Sequence, residues 1–252
     1  DELIARPPVL RPIHHPYSDR PESPPRIRCY PLEEIVAEKT RALSQRGSPR
    51  DLYDVIRLYR HEGFSLNGPR IRTLLEEKCS HRNLSVASFD QIAGSARINE
   101  LRADWEDMLG HQLPVLPPFE VYWGELRHYF EWLEGRPLDE LSQVSDLEDS
   151  DPTWQPPEYI AQPKIWGDPG PIETIRFAGA NRLRILLTYR PAEGRPGVRE
   201  VEPYSLRRSQ EGYLLLYARN IQHRRISAYR LNRIVDVQVT RNAYVPVWRV
   251  EF

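Results

Sequence analysis

The chain has 252 residues, enough for one large domain or two ordinary ones, and its 40% hydrophobic and 28% charged residues are typical of globular proteins. No stretch approaches the roughly 18 apolar residues of a transmembrane helix, and the first residues lack a signal segment. We therefore expect a cytoplasmic protein without membrane contact. The two cysteines and the scattered histidines show no zinc-ligand spacing, which argues against a structural metal site.

The net charge of −1 conceals two segments of opposite charge. Residues 171–252 hold 15 arginines, no lysine and 7 acidic residues, a net charge of +8, whereas residues 1–170 carry a net charge of −9. Such a division indicates separate modules with different partners. Between them, residues 136–170 are rich in proline and acidic side chains, which predicts an extended linker between a first domain over 1–135 and a second over 171–252.

Apolar residues at helical spacing predict a mostly helical first domain, preceded by an extended, proline-rich segment that contributes one strand. Pro31 suits the first turn of a helix that runs to about Gln45. Ser48 and Pro49 begin a second helix that runs to about His61. Further helices are predicted near residues 68–80, 98–110 and 119–134.

After the linker, the apolar spacing changes from about 3.6 to about 2 residues, which indicates strands. A short helix near residues 171–180 precedes five strand candidates, at 183–189, 198–203, 213–218, 225–231 and 234–240. Five short strands over so few residues predict a small barrel. The chain as a whole is therefore predicted to be an α+β protein.

Lys39 lies on or beside the buried stripe of the first helix, where a lysine is unusual unless its ammonium reaches a partner. Asp51 and Asp54 on the next helix are candidate partners. Lysine with carboxylates suits phosphoryl chemistry, because lysine neutralises triphosphate oxygens while carboxylates hold Mg²⁺ or orient the attacking hydroxyl. Two structural alternatives stay open: Ser48 and Asp51 fit a capping box, and Lys39 can extend past the apolar stripe to water.

Residues 30–58, YPLEEIVAEKTRALSQRGSPRDLYDVIRL, resemble the second half of the active site in AbiEii-type nucleotidyltransferases, the toxins of certain toxin–antitoxin and phage-defence systems. The family pattern, leEi.AEKl.Al..R...RDlyDl, is matched almost without gaps, and the likeness includes the preceding strand around residues 13–19. The resemblance implies that Lys39 contacts the nucleotide phosphates, that Asp51 is the second catalytic residue, and that Asp54 supports the structure or a metal. It also implies an NTP substrate, Mg²⁺ and an antitoxin partner.

The chain departs from this family in the other half of the site. A glycine-rich turn followed by two metal-holding aspartates should precede the matching run, and residues 1–29 contain no such motif. No metal ligand is therefore assigned. Either an upstream portion or another chain supplies those residues, or the fragment is catalytically inactive.

Residues 198–246 resemble a WYL domain, an Sm-like five-stranded barrel of bacterial regulators and defence proteins. The likeness covers about residues 172–246 and rests on Arg199-x-x-x-Pro203, on Gly212-Tyr213-Leu214 at the place of the name-giving Trp-Tyr-Leu, and on the run 229–234. It implies a surface for single-stranded nucleic acid or a nucleotide effector. Arginines grip phosphates and tyrosines stack on bases, which agrees with this implication. The candidate contacts are Tyr189, Arg199, Tyr213, Arg225, Arg230 and Arg233.

The leading hypothesis is the C-terminal part of a nucleotidyltransferase-type toxin or defence protein. It would transfer a nucleotide from an NTP to a hydroxyl of RNA, for example tRNA, or of a protein, and its WYL domain would sense nucleic acid or nucleotide. The alternatives are a non-catalytic, nucleic-acid-responsive regulator and an interaction scaffold. For the basic domain itself, docking onto the acidic linker or the acidic first domain is a further alternative.

Overall fold

The computed structural model describes residues 3–13, 21–63, 65–138 and 170–252. The chain divides into two compact units, one of residues 1–112 and 122–138 and the other of residues 113–121 and 139–252. Most of the predicted linker lies outside the described residues, so the domain boundaries drawn around it stay a prediction. Helices and an antiparallel sheet make an α+β fold, as the sequence predicts.

The described residues before 139 are mostly helical. All five helices predicted there are present, with small shifts at their ends. The helices are α1 (Leu32–Arg46), α2 (Pro49–Glu62), α3 (Gly68–His81), α4 (Phe89–Ala93), α5 (Arg97–Leu109) and α6 (Phe119–Leu133). Helix α4 was not predicted because five residues are too few to show an apolar period. Reciprocal capping bonds between Ser88 and Gln91 stabilise it.

The opening segment forms two strands, not the single strand that was predicted. Strand β1, Val9–Pro12, pairs antiparallel with β2, Arg26–Cys29, and Leu10 lies opposite Arg28. The strand expected around residues 13–19 falls almost wholly on residues that the structure does not describe.

A tight turn joins α1 to α2. Gly47 ends α1 in the left-handed conformation, with φ at 63°, which glycine adopts without steric cost. Pro49 then occupies the first turn of α2, where its missing N–H leaves no helical bond unmade. Because two residues suffice for the connection, α1 and α2 become packed neighbours, and α1 also packs on α3.

Aromatic rings contribute much of the core of this unit. Tyr53 of α2 and Tyr122 of α6 stack with their ring centres 5.2 Å apart. The hydroxyls of Thr40 on α1 and Tyr129 on α6 hydrogen-bond to each other. Burial raises the pKa of both Tyr122 and Tyr129, so these hydroxyls stay protonated. The fully buried aliphatic residues around them include Leu43, Leu52, Ile56, Ile71, Leu74, Leu75, Leu126 and Leu133.

A buried ion pair ties the first described residues to α1 and α3. Glu34 Oε1 and Lys78 Nζ lie 3.0 Å apart, and both side chains are inaccessible to solvent apart from 2% of their surface. The Glu34 carboxylate accepts the backbone N–H groups of Ala5 at 2.8 Å and Arg6 at 3.0 Å. Lys78 donates in turn to the Leu3 carbonyl at 2.7 Å. Each buried charge therefore has partners that offset its desolvation.

The second unit contains α7, a short 3₁₀ turn and five strands close to their predicted positions. Its sheet is antiparallel, with strand order β6-β5-β4-β3-β7. Strand β4 is longer than predicted because a bulge between Pro203 and Ser205 lets it bend and continue. Closure of this sheet into a barrel stays a prediction. The elements are α7 (Gly170–Ala180), β3 (Leu183–Tyr189), β4 (Gly197–Arg208), β5 (Leu214–Asn220), β6 (Arg225–Arg230), the 3₁₀ turn (Leu231–Arg233) and β7 (Ile234–Ala243).

Both faces of the sheet are covered within this unit. On one face, the alternate residues Ile185 and Leu187 of β3 pack with Ile175 of α7. On the other face, the segment that follows β7 packs against a cluster of tyrosines. In this segment Glu251 donates its N–H to the Tyr204 carbonyl at 2.8 Å. Other parts of the unit therefore cover both faces of the sheet, and its candidate ligand-binding residues lie at its ends and turns.

Replacement of Glu34 by Gln is expected to lower the free energy of unfolding by about 3 kcal/mol at neutral pH, and by less in acid. Burial by itself would raise the pKa of Glu34, but hydrogen bonds from Ala5, Lys78 and Arg6 outweigh it and hold the pKa below its ordinary value of 4.5. A carboxyl with a lowered pKa contributes stability above its unfolded pKa and loses it as the pH falls through the folded one.

Urea unfolding of both proteins from about pH 7 to about pH 3 measures this effect. The difference between them should shrink as the pH falls below 4.5. A difference that stays constant over this range would show that the Glu34 charge contributes nothing to the pair.

Candidate functional site

Lys39 of α1 and Asp54 of α2 meet at the surface of the first unit. The Lys39 Nζ lies 2.7 Å from Asp54 Oδ2, and 36% and 38% of the two side chains are exposed. The ammonium therefore reaches a carboxylate, as its position on the helix predicts, and does not simply extend to water. Because both groups are also open to solvent, a phosphate or a cation can approach them.

Asp51 lies only one helical turn from Asp54, but its surroundings are quite different. Its side chain is 0% exposed, and Arg46 donates to it from Nε at 2.6 Å and from Nη2 at 2.8 Å. This two-pronged bond joins the last turn of α1 to the first turn of α2. The hydrogen bond and charge of Asp51 raise the pKa of the Arg46 guanidinium. Ser48 makes no side-chain cap on α2, so the capping-box interpretation of Asp51 is wrong.

Asp51 and Asp54 can therefore do different things. Asp54 can exchange its lysine for a cation or a ligand, whereas both oxygens of Asp51 are already bound to Arg46. The Arg46 side chain is 64% exposed, so the buried Asp51 carboxylate is bound to a cation at the surface. The pairing of Arg46 with Asp51 was not predicted from the sequence. The spacing of Arg46, five residues before the aspartate, was the available signal.

Mg²⁺ prefers several oxygen ligands in octahedral geometry. Within residues 3–13, 21–63, 65–138 and 170–252, no group of three His, Cys, Asp or Glu side chains is placed to hold a metal ion. Asp54 offers one carboxylate and Lys39 one phosphate contact. The described residues alone do not fit a complete site for a metal-bound nucleotide.

In the second unit, the end of β3 gathers several of the predicted contact residues around Tyr189. The guanidinium carbon of Arg199 lies 5.5 Å from the centre of the Tyr189 ring. The Tyr189 hydroxyl accepts the backbone N–H of Arg230 at 3.4 Å. The Arg233 carbonyl accepts the N–H of Arg190, the residue after Tyr189, at 3.0 Å. We call Tyr189, Arg190, Arg199, Tyr213, Arg230 and Arg233 the arginine cluster.

Arg225 lies apart from this cluster. It pairs with Asn220 at the start of β6, whereas Arg230 ends that strand. Arg190, in contrast, was not predicted, although it directly follows Tyr189 at the strand end and is exposed.

Tyr189 itself belongs to the core. It is 9% exposed, and its ring meets that of Tyr229 edge to face at 5.1 Å. It therefore positions the arginines around it and offers no open face for stacking. One nitrogen of Arg199, Nη1, is buried and has no hydrogen-bond partner among the described residues. Such a donor is suited to an acceptor that a ligand brings.

Tyr213 is the exposed aromatic residue of the cluster, with 40% of its surface accessible. The Arg230 guanidinium carbon lies 3.9 Å from the centre of its ring, a close cation–π contact. Arg230 Nη2 also donates to Glu211 Oε2 at 2.9 Å. Tyr213 and Arg230 together form the solvent-facing part of the arginine cluster.

Comparison with known protein families assigns both units. The family model for the nucleotidyl transferase AbiEii toxin of type IV toxin–antitoxin systems matches residues 1–134, more than half of the chain. The chain belongs to the AbiEii toxin family. Residues 171–239 of this AbiEii protein match the WYL domain model, so the resemblance of both segments is confirmed. A search of curated proteins finds no match.

Gly212 lies in the turn between β4 and β5 with φ at 88°, a conformation in which a residue with a side chain would be strained. The turn therefore favours glycine, and Tyr213, which follows it, is exposed and contacts Arg230. In the part of the AbiEii protein that the structure describes, no helix is long and apolar enough to cross a membrane.

Removal of Arg46 is expected to destabilise the AbiEii unit, because it leaves a buried carboxylate without its partner. Arg46→Ala should lower the free energy of unfolding by about 3 kcal/mol, and Arg46→Ala with Asp51→Ala by less than the sum of the two single changes. The matched control is Lys39→Ala with Asp54→Ala, a half-exposed pair worth about 0–1 kcal/mol.

Urea unfolding of the six variants gives both coupling energies. Equal, small couplings for the two pairs would contradict the structural role assigned to Asp51 and Arg46.

Proposed function

We propose that this AbiEii protein takes part in the transfer of a nucleotide from an NTP to a hydroxyl of RNA or protein, under the control of its WYL domain. The observation that carries the proposal is the solvent-facing pair of Lys39 and Asp54, 2.7 Å apart, within the segment that matches the transferase family. Nucleotidyltransferases as a class use an NTP and a divalent metal, and toxin families of this kind have antitoxin partners. We place the protein in the cytoplasm with such a partner.

Lys39 is the residue that we assign to the NTP phosphates. A lysine ammonium is a compact charge that binds phosphate oxygens without demanding one geometry. Its partner Asp54 holds the ammonium in place before a nucleotide binds, and its freed oxygens would then be available to hold a metal ion or to accept a hydrogen bond from the acceptor hydroxyl. Half-exposure of both side chains allows this exchange.

Asp51, in this proposal, is a positioning residue. Because its oxygens are occupied by Arg46, it acts on the reaction through the geometry of the turn that orients α1 and α2. This differs from the catalytic role that family resemblance implies for Asp51. Mg²⁺ would neutralise phosphate charge at the site, and Asp54 is the one carboxylate beside Lys39 that we assign to it.

The WYL domain is assigned the binding of single-stranded nucleic acid or a nucleotide. The support is the exposed Tyr213 in contact with Arg230, and the buried Nη1 of Arg199, which has no hydrogen-bond partner among the described residues. A guanidinium binds two phosphate oxygens at once, and an exposed ring stacks on any base. Arg225 adds positive charge at the start of β6, and Arg233 adds it in the 3₁₀ turn that follows this strand.

Lys39→Ala is expected to lower nucleotide transfer by at least about 100-fold, because one charged contact to the developing phosphate charge is lost. The assay follows the label of an α-³²P NTP into RNA or into protein. Arg70→Ala is the matched control, since Arg70 is an exposed cation of α3 that lies outside the run 30–58. It removes the same charge from the same unit and should leave transfer unchanged.

Asp54→Asn should also lower nucleotide transfer in this assay, as Lys39→Ala does, without lowering the stability of the protein. Equal labelling by the parent protein and Lys39→Ala would overturn the assignment. Labelled NTP that binds the parent protein without any transfer would favour the regulator interpretation instead.

Arg230→Ala is expected to weaken the binding of a single-stranded oligonucleotide and to lower its salt dependence. Each phosphate contact contributes about 0.7 to the slope of log affinity against log salt for single strands, so the slope should fall by about that amount. Fluorescence anisotropy across a salt series measures both quantities. A flat salt response in the parent protein would contradict a phosphate-binding WYL domain and indicate a protein partner.

A further inference from the structure

Arg230 has an intramolecular anion beside it. Its guanidinium lies over the Tyr213 ring at 3.9 Å and donates from Nη2 to the Glu211 carboxylate at 2.9 Å. The contact uses one of the guanidinium's nitrogens, although the group can bind two acceptor oxygens along an edge. Glu211 therefore holds Arg230 by a single bond at the place where the proposed ligand contact lies.

Hydrogen bonds within the turn fix the backbone around Glu211 but do not involve the Glu211 side chain. Gly212 donates its N–H to the Ser209 carbonyl at 2.8 Å, and Tyr213 donates its N–H to Ser209 Oγ at 3.1 Å. The Glu211 side chain is 70% exposed, whereas that of Arg230 is 32% exposed. The carboxylate can thus leave Arg230 without any change in the hairpin.

A phosphate is the stronger ligand for this arginine. It offers at least two oxygens to the guanidinium edge, whereas Glu211 uses one, and exposed carboxylate–arginine pairs are weak because water screens them. The Tyr213 ring contacts the guanidinium carbon at 3.9 Å and so helps to hold Arg230 in place beside Glu211. A phosphate chain or backbone also brings several negative charges to the arginine cluster, whereas Glu211 brings one, which favours phosphate-bearing ligands in the exchange.

We propose that Glu211 is an internal competitor that must leave Arg230 when a ligand phosphate binds, and that it thereby restricts the site to phosphate-bearing ligands. This inference rests on the ligand-binding role proposed above for the WYL domain. The ligand chemistry is a phosphodiester or polyphosphate, whose source is either a single-stranded nucleic acid or a free nucleotide. Glu211 is thus a specificity-determining residue of the arginine cluster.

The chain contains a close control for this residue. Glu193 precedes Gly194 in another turn, and both Gly194 and Gly212 have positive φ, at 110° and 88°. Glu193 is exposed and has no ion-pair partner among the described residues. Glu193→Gln therefore removes the same charge from the same domain without touching Arg230.

The test measures the affinity of the full chain for a fluorescent single-stranded oligonucleotide of about 12 nucleotides, and for a fluorescent ATP analogue. Glu211→Gln should bind at least one of them about two- to fivefold more tightly than the parent chain, the effect expected when a weak competing ion pair is removed. Glu193→Gln should gain less than half as much. The probe that responds identifies which source of phosphate the site takes.

Arg230→Lys separates the inference from the function on which it rests. If the parent chain binds a probe and Arg230→Lys binds it more weakly, the WYL site is real. Glu211→Gln with unchanged affinity, or with a gain that Glu193→Gln equals, then overturns the competitor role alone. If the parent chain binds neither probe, both the proposed ligand-binding function and the competitor role of Glu211 are wrong. A gain by Glu211→Gln that disappears in the double variant with Arg230→Lys supports the inference.

Discussion

A buried carboxylate held by one guanidinium is the constraint on which the placement of Lys39 and Asp54 depends. Asp51 has no access to water, so its charge has to be met inside the fold, and Arg46 meets it with two bonds across the turn. That bond decides how α2 leaves α1. The next turn of α2 then brings Asp54 to Lys39, at the surface. The motif thus divides its two aspartates between holding the helices and facing the solvent.

In the WYL domain, too, buried residues hold exposed ones in place, but the buried residues are tyrosines. Tyr189 and Tyr229 are core residues, yet the Tyr189 hydroxyl reaches the edge of the core and accepts the backbone N–H of Arg230. Tyr213 then faces the solvent beside Gly212, whose positive φ favours glycine, and Arg230 at the end of β6 lies over its ring. In both units, a buried residue that was predicted to act at the site holds a more exposed neighbour in place.

Apolar periodicity was sufficient to predict the helices α1, α2, α3, α5 and α6 and the five strands of the second unit. It failed for α4 and for the bulge in β4, because a five-residue helix and an extra strand residue leave no periodic signal. For the site, the spacing around Lys39 correctly predicted a carboxylate partner. The burial of Asp51 and its pairing with Arg46 were not predictable, since the sequence does not show which of two aspartates in one helix is buried.

The importance of Glu34 and Lys78 was also hidden in the sequence. Their pairing joins residues 44 positions apart and depends on backbone groups of the first described residues, which no local pattern encodes. Glu211 was equally invisible as a partner of Arg230, because the contact crosses from a turn to the end of another strand. Long-range pairing of charges is decided by packing, and the sequence shows only that the charges exist.

The chain has three lysines, Lys39, Lys78 and Lys164, which makes the central claim directly measurable. With ¹⁵N- and ¹³C-labelled lysine, each side chain gives its own NMR signals, and the signals are assigned from Lys→Arg variants. Titration with an NTP and Mg²⁺ is predicted to shift the Lys39 side-chain signals in a saturable manner and to leave those of the buried Lys78 unchanged. Unchanged Lys39 signals at saturating nucleotide would contradict the assignment of this residue to the NTP phosphates.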